Sequence, residues 1–327
     1  MSELRTLLAD TTARVLGSTK DASFDGAWKS IAEAGLPDVL VNEDDGGFGG
    51  NWEDALVVVR ACGYTATPTP LPEAILATYL AQAAKMERPG GMLTVCANAS
   101  GKLEGTRFTG VLRGVPWGRD ASHIVFVLNG TVMIASRTDA KIAAHQNPAD
   151  EPRDALQFEN AAVETGKLEA DLLSALALLR TGQIAGALDH ALELSVGYTR
   201  ERQQFGRPLA QFQAIQQQLA VLAEETAAAG MAATAAFRAM DRGEAGFEIA
   251  AAKLRANRAA RMSTGIAHQV HGAMGFTAEY SLQHLTRRLW AWQTEAGNER
   301  FWAERLGAQT AARGAKTFWT DLVARSE

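Results

Sequence analysis

Residues 197–220 read GYTRERQQFGRPLAQFQAIQQQLA and put guanidinium groups beside aromatic rings. Arg200, Glu201 and Arg202 close a predicted helix, Gly206 and Pro208 interrupt it, and an amphipathic run opens at Leu209. The arginines therefore stand on a turn at a helix boundary. A guanidinium there offers a rigid fork of donors that matches a phosphate, and Phe205 and Phe212 give flat apolar surface for a ring. Phosphate beside ring is nucleotide chemistry. Cations at a helix C-terminus also simply neutralise the helix dipole, so this segment taken alone fits either role.

A second segment, residues 269–280, reads QVHGAMGFTAEY. Gly272 and Gly275 let a backbone approach a pyrophosphate closely, and Gln269 can donate an amide hydrogen bond. The plainer role of such glycines is to end a helix. His268 and His271 are three apart, but no acid or cysteine joins them at ligand spacing, so a metal site is not expected. There is no nucleophile elbow, Walker loop or carboxylate pair, which removes support for hydrolase and kinase chemistry. The glycine-rich residues 42–51 (NEDDGGFGGN) lack the GxGxxG register and carry acids that would repel phosphate; they read as a turn.

Together, Tyr198, Arg202, Phe205, Gly206, Pro208, Phe212, Gln213 and Gln216, followed by QVHGAMGFTAEY and by Arg287 and Arg288, resemble the two carboxyl-terminal signatures of the acyl-CoA dehydrogenases. Those flavoenzymes oxidise acyl-CoA thioesters to enoyl-CoA. The resemblance is best over the carboxyl-terminal half. It implies that Arg202, Gln203, Gln204, Phe205, Phe212, Gln213, Gln269, Val270, His271, Gly272 and Ala273 face the adenosine diphosphate part of a neighbouring subunit's FAD. Ala273 stands where the family has a second glycine.

The family's reaction needs a base for the α-proton and a flavin to take the β-hydride. The resemblance puts the base at Ala296, or in another branch at Leu176, neither of which is an acid. Glu295, one residue from the first position, is the catalytic candidate this chain offers if the loop slips by one; a solvated loop residue or first-turn helix acid is the plainer expectation for it. Residues 93–101, LTVCANASG, occupy the place of the family's flavin-ring signature and lack it. These departures resemble the smaller subunits of heteromeric acyl-CoA dehydrogenases acting on steroid side-chain thioesters. The implied partners are an acyl-CoA substrate, a full-length homologue that supplies the base, and an electron-transfer acceptor protein. The alternative is a structural or regulatory homologue that binds neither FAD nor thioester.

The elements that must position these residues follow from periodicity. Apolar residues recur at helical spacing through residues 1–88, at Leu4, Leu7 and Leu8, at Trp28, Ile31 and Leu36, at Trp52, Leu56 and Val59, and from Leu71 to Leu80, predicting an N-terminal helical domain. Over 89–165 the period shortens to β-type runs at 92–97, 106–112, 123–128, 131–135 and 156–158, with Asn129-Gly130 as a hairpin turn; this predicts a shortened β-barrel-like middle domain. Over 166–327 long amphipathic stretches return, among them one from 298 to 323, predicting an antiparallel four-helix bundle. The fold class expected is thus mainly α with a β middle domain, like that of the acyl-CoA dehydrogenases.

With 327 residues, 32 basic and 37 acidic side chains and a formal charge of −5, the chain has length for a sizeable core and no field to attract nucleic acid or an anionic membrane. Cys62 and Cys96 are too few for a disulfide framework and fit a reducing compartment, so a cytoplasmic location is expected. The amino terminus reads as an amphipathic helix and not as a signal peptide, and membrane insertion is not expected.

Overall fold

The computed structural model describes residues 3–19, 22–243 and 245–326. Met1 and Ser2, at the start of the predicted N-terminal helix, lie outside them. Helices α1 (Glu3–Ser18), α2 (Phe24–Glu33), α3 (Trp52–Thr65) and α4 (Leu71–Ala83) form the first layer. Residues 42–51 are the expected turn, and Asn51 closes it by capping α3: its side chain accepts from Asp54 N at 3.0 Å while Asp54 Oδ2 accepts from Asn51 N at 3.1 Å. Helix α4 is buried on nearly every face, so it runs through the core and not over it.

Strands β1 (Leu93–Cys96), β2 (Ala99–Glu104), β3 (Arg107–Pro116), β4 (His123–Leu128), β5 (Thr131–Ser136), β6 (Ala140–Ala143) and β7 (Arg153–Lys167) make one sheet in the order β1-β4-β5-β7-β3-β2, with β6 also on β7. Only β1 and β4 pair in parallel; the remaining pairs are antiparallel. Asn129 and Gly130 both take positive φ, 51° and 74°, which the predicted tight hairpin between β4 and β5 requires. The apolar run at 156–158 predicts only a short strand. The strand is fifteen residues long because β7 crosses from β5 to β3 and its outer residues, facing solvent, break the apolar run. Strands β2 and β6 went unread for the same reason: their residues are almost all exposed or half-buried. Phe108, Phe126 and Phe158 fill the inner face as this curled sheet's own core.

Helices α5 (Leu172–Glu201), α6 (Gln213–Asp241), α7 (Gly246–His271) and α8 (Leu282–Trp292) form the bundle, followed by α9 (Glu299–Arg313) and α10 (Phe318–Ser326). The expected single helix over 298–323 is broken: Gly314, at φ 83°, ends α9 and the chain restarts at Phe318. Leu209 does not open α6 but sits in a short 3-10 turn, and α6 begins at Gln213. Helix α5 is apolar and buried through two thirds of its length and runs against α3, α6, α7 and α8. It meets α3 backbone to backbone. A Cβ on Gly186 would lie 1.9 Å from the Arg60 carbonyl oxygen, and one on Gly63 would lie 1.9 Å from that of Gln183. Glycine at both crossings lets the first layer seat on the bundle, and one apolar core runs through both. Among the described residues no helix is long and apolar enough to cross a membrane.

Candidate functional site

The arginine turn is built by the end of α5. Its last residue is Glu201; Arg202 leaves the helix with extended backbone, its N–H donating to the Tyr198 carbonyl at 2.8 Å and its carbonyl accepting from Leu209 N at 2.9 Å. Between those two anchors the chain folds into a two-residue hairpin, β8 (Gln203–Gln204) against β9 (Arg207–Pro208). Phe205 and Gly206 at its tip take φ of 53° and 79°, and Phe205 is 91% exposed. Phe212 sits under the hairpin, edge-on to Phe205 at 6.2 Å and covered by the Arg207 guanidinium at 4.1 Å. The Arg202 guanidinium, by contrast, makes no side-chain hydrogen bond or ion pair among the described residues.

The second segment meets the first at Tyr198. Helix α7 ends at His271, whose ring stacks on Tyr198 at 4.6 Å, with Nδ1 at 2.7 Å from the Ala267 carbonyl and Nε2 at 3.1 Å from the Tyr280 hydroxyl. Burial pushes the His271 imidazole below its usual range, so it is neutral near pH 7 and the positive charge here is that of Arg202. Gly272 then turns the chain at φ 59°, ψ −143°, a conformation that essentially only glycine adopts.

The two segments, about seventy residues apart, line one cleft of about 420 Å³. Arg202 and Gln204 face it from the hairpin, and Gln269, His271, Gly272 and Ala273 from the end of α7, with Val270 beside them. Gln203, Phe205, Phe212 and Gln213 do not line it; they form the hairpin and the start of α6 alongside. An unpaired guanidinium, two amides and a glycine backbone have the donor chemistry that a diphosphate accepts. Among the described residues no His, Cys, Asp and Glu cluster could hold a metal.

The position of the flavin-ring signature is closed. Residues 93–96 are the fully buried strand β1, packed inside the core, and β2 follows directly. The residues of this chain thus fit the diphosphate end of FAD and show no surface for the ring at the position of the missing signature.

Glu295 is not the solvated loop residue expected. It lies after α8, its side chain 19% exposed, inside an ion network joining four elements. Oε1 accepts from Arg153 Nε at 2.9 Å and Asn147 Nδ2 at 2.8 Å, and Oε2 from Arg153 Nη2 at 3.0 Å and Arg180 Nε at 2.9 Å. Arg180, inside the apolar face of α5, also donates to Glu73 of α4 at 2.6 Å and to Gln183. Glu151 links Arg153 to Arg288 and Trp292 of α8, at 3.0, 3.0 and 3.1 Å. Three arginines and three glutamates therefore balance where the sheet, α4, α5 and α8 meet. Burial alone would raise the Glu295 carboxyl, but the facing Arg153 and Arg180 guanidinium groups outweigh it and hold it well below the usual carboxylate range. Such a carboxylate is a poor proton acceptor.

The loop around it is fastened as well. Lys253 of α7, fully buried, donates to the Trp292 carbonyl at 2.8 Å and to Asn257 at 2.7 Å; Asn257 reaches the Gly297 carbonyl at 3.3 Å, and Trp302 Nε1 the Ala296 carbonyl at 2.8 Å. Ala296 takes φ 52° and Leu176 packs in the apolar core, so neither position offers an acid. Arg287 and Arg288 turn away from the cleft. Arg287 holds the Pro148 carbonyl and Asp150, and Arg288 holds Glu151, strapping residues 147–151 onto α8. Arg153, Glu73 and Glu151 escaped the sequence reading; Arg180, one charge inside the run LLSALALLR, was the signal available.

Residues 171–311 match the family described as acyl-CoA dehydrogenase, C-terminal domain. The acyl-CoA dehydrogenase IpdE2 of Mycolicibacterium smegmatis is 28% identical over 88% of this chain and 93% of its own. Acryloyl-CoA reductase (NADH) of Anaerotignum propionicum is 27% identical over 80% of each. Among solved structures, the ChsE4-ChsE5 complex from Mycobacterium tuberculosis superposes with a TM-score of 0.82, at 19% identity, over 94% of this chain and 97% of that one. Butyryl-CoA dehydrogenase from Megasphaera elsdenii gives 0.81 at 17% identity, over 94% and 98%. The chain has the acyl-CoA dehydrogenase fold.

Proposed function

From a chain with the acyl-CoA dehydrogenase fold and that family's C-terminal domain, we propose a subunit of an FAD-dependent acyl-CoA dehydrogenase that shares its cofactor with a longer homologous chain. The observation that carries this is the cleft in which Arg202 and residues 269–273 converge, with the Arg202 guanidinium free for a phosphate. Flavin, when bound, supplies the acceptor for the β-hydride of an acyl-CoA thioester. This chain's own part is binding: Arg202 pairs the diphosphate, Gln204 and Gln269 offer amide donors, and Gly272 lets the backbone come close. Glu295, committed to two arginines, leaves proton abstraction to an acid of the partner. The substrate class is an acyl-CoA, and an electron-transfer acceptor protein would be the assembly's further partner.

The test is the flavin content of the assembly, co-expressed with a longer homologue that carries the flavin-ring signature. Arg202→Ala removes a charge-assisted contact of roughly 1.5 to 3 kcal/mol and should weaken FAD binding about ten- to a hundredfold. Arg202→Lys, which keeps the charge but loses the fork, should fall between. Equal FAD affinity in all three overturns the assignment, and an assembly that never holds flavin favours a purely structural role.

A further inference from the structure

The turn that closes the cleft also presents an aromatic surface that the cofactor reading does not use. Phe276, at the end of the turn, stacks on His268 of α7 at 4.0 Å, and Trp290 of α8 stacks on the same imidazole at 5.5 Å, each ring within 18° of parallel to the imidazole. Phe276 is 65% exposed and Trp290 40%, while His268 between them is buried. His268 Nε2 lies 2.9 Å from the Thr286 hydroxyl and Trp290 Nε1 donates to Thr264 at 3.1 Å, while His268 Nδ1 is buried with no hydrogen-bond partner among the described residues. Burial, and then the neighbouring His271, push the His268 imidazole below its usual range, so the stack is uncharged near pH 7. What remains outward is rigid apolar ring surface, the kind that anchors protein interfaces. Met274, 46% exposed, connects it with the cleft, which it also lines.

We propose that the Phe276–His268–Trp290 stack is the docking surface for the longer homologous chain that carries the flavin ring. The inference rests on the cofactor reading above. On that reading the dinucleotide has its diphosphate end in the Arg202 cleft and its ring on the longer chain, within one cofactor's length. This stack is an apolar surface beside that cleft, reached through Met274 across a single turn. Gly275 couples the two. A Cβ there would lie 3.1 Å from that of His271 in the cleft and 3.2 Å from His268 Nδ1 in the stack, so the turn is pressed against both. A second copy of this chain does not complete the site, because its β1 strand is buried and it too lacks the ring signature.

The test measures the Kd between this chain and a longer acyl-CoA dehydrogenase from the same source that carries the flavin-ring signature, with FAD present. Phe276→Ser, at a largely exposed position, should keep the fold by circular dichroism and weaken the pair about thirtyfold, the loss expected of one central aromatic anchor. Trp290→Gln should act in the same direction. Leu7→Ser, a 55% exposed apolar residue on α1, should stay within about twofold of the parent. A flavin-loaded pair whose Kd is unmoved by Phe276→Ser and Trp290→Gln overturns this inference and leaves the cofactor reading intact. A pair that both variants weaken but that holds no flavin leaves the surface standing and overturns the cofactor reading. Self-association of this chain that Phe276→Ser abolishes would assign the patch to a second copy and overturn the proposal.

Discussion

Replacing Glu295 with Gln separates an ion-pair role from a catalytic one. The carboxylate accepts four hydrogen bonds, three of them from the guanidinium groups of Arg153 and Arg180. Glutamine keeps one acceptor oxygen, turns two N–H donors toward groups that are themselves donors, and leaves the balanced network with one uncompensated positive charge. Removing one partner of a buried ion pair costs about 3 to 5 kcal/mol, and the residual 19% exposure of Glu295 favours the lower end, about 3 kcal/mol. An unfolding entropy of about 2.1 cal/mol/K per residue gives about 0.7 kcal/mol/K for a chain this long, so the midpoint should fall by about 4 °C. Thermal unfolding followed by circular dichroism at pH 7 reads this directly. The folded carboxyl is depressed, so its contribution is complete above the unfolded value of about 4.3 and lost as pH falls below it. The gap between parent and variant should therefore hold from pH 8 to about pH 5 and shrink at lower pH. In the flavin-loaded assembly the same variant should still be bleached by an acyl-CoA under anaerobic conditions. An unchanged midpoint would refute the ion-pair argument. Loss of bleaching with flavin intact would make Glu295 the base, since removing a general base costs about two to four decades in rate.

Further perturbations address other parts of the structure. Burial, with Arg180 nearby, lowers Lys253 to about 7, so the cost of its buried ammonium is complete below pH 7 and relieved as pH rises toward 10. Relative to Lys253→Met, the parent should gain up to about 1.4 kcal/mol per pH unit over that window in denaturant titrations, and a flat difference would contradict it. Gly186→Ala forces a methyl against the Arg60 carbonyl at the crossing of α3 and α5 and should cost about 1 to 3 kcal/mol or more, measured by urea midpoint. Gly272→Ala meets no neighbouring atom, so any loss there, about 1 to 3 kcal/mol, reports backbone strain alone; an unchanged midpoint would mean the turn can relax.

Helix and strand periods depend on residues close in sequence, which is why the three-part order of helices, sheet and bundle and the Asn129-Gly130 hairpin could be read before any coordinates. The same holds for the end of α5 at Arg202, where glycine and proline exclude the helix by local sterics. Solvent-facing strands β2 and β6 carry no such pattern, and the break at Gly314 is marked by a single glycine within an otherwise continuous helical run. The sequence supplied the identities of the cleft residues but not that Tyr198 and His271 would stack and bring Arg202 and Gly272 to one cleft; that needed α5 and α7 side by side. Glu295 shows the limit most plainly. Whether a glutamate next to a glycine is solvated, catalytic or locked depends on which charges the fold carries to it, and Arg153, Arg180 and Asn147 arrive from 115 to 148 residues away. Electrostatic state is set by long-range proximity and burial, and only the tertiary structure decides those.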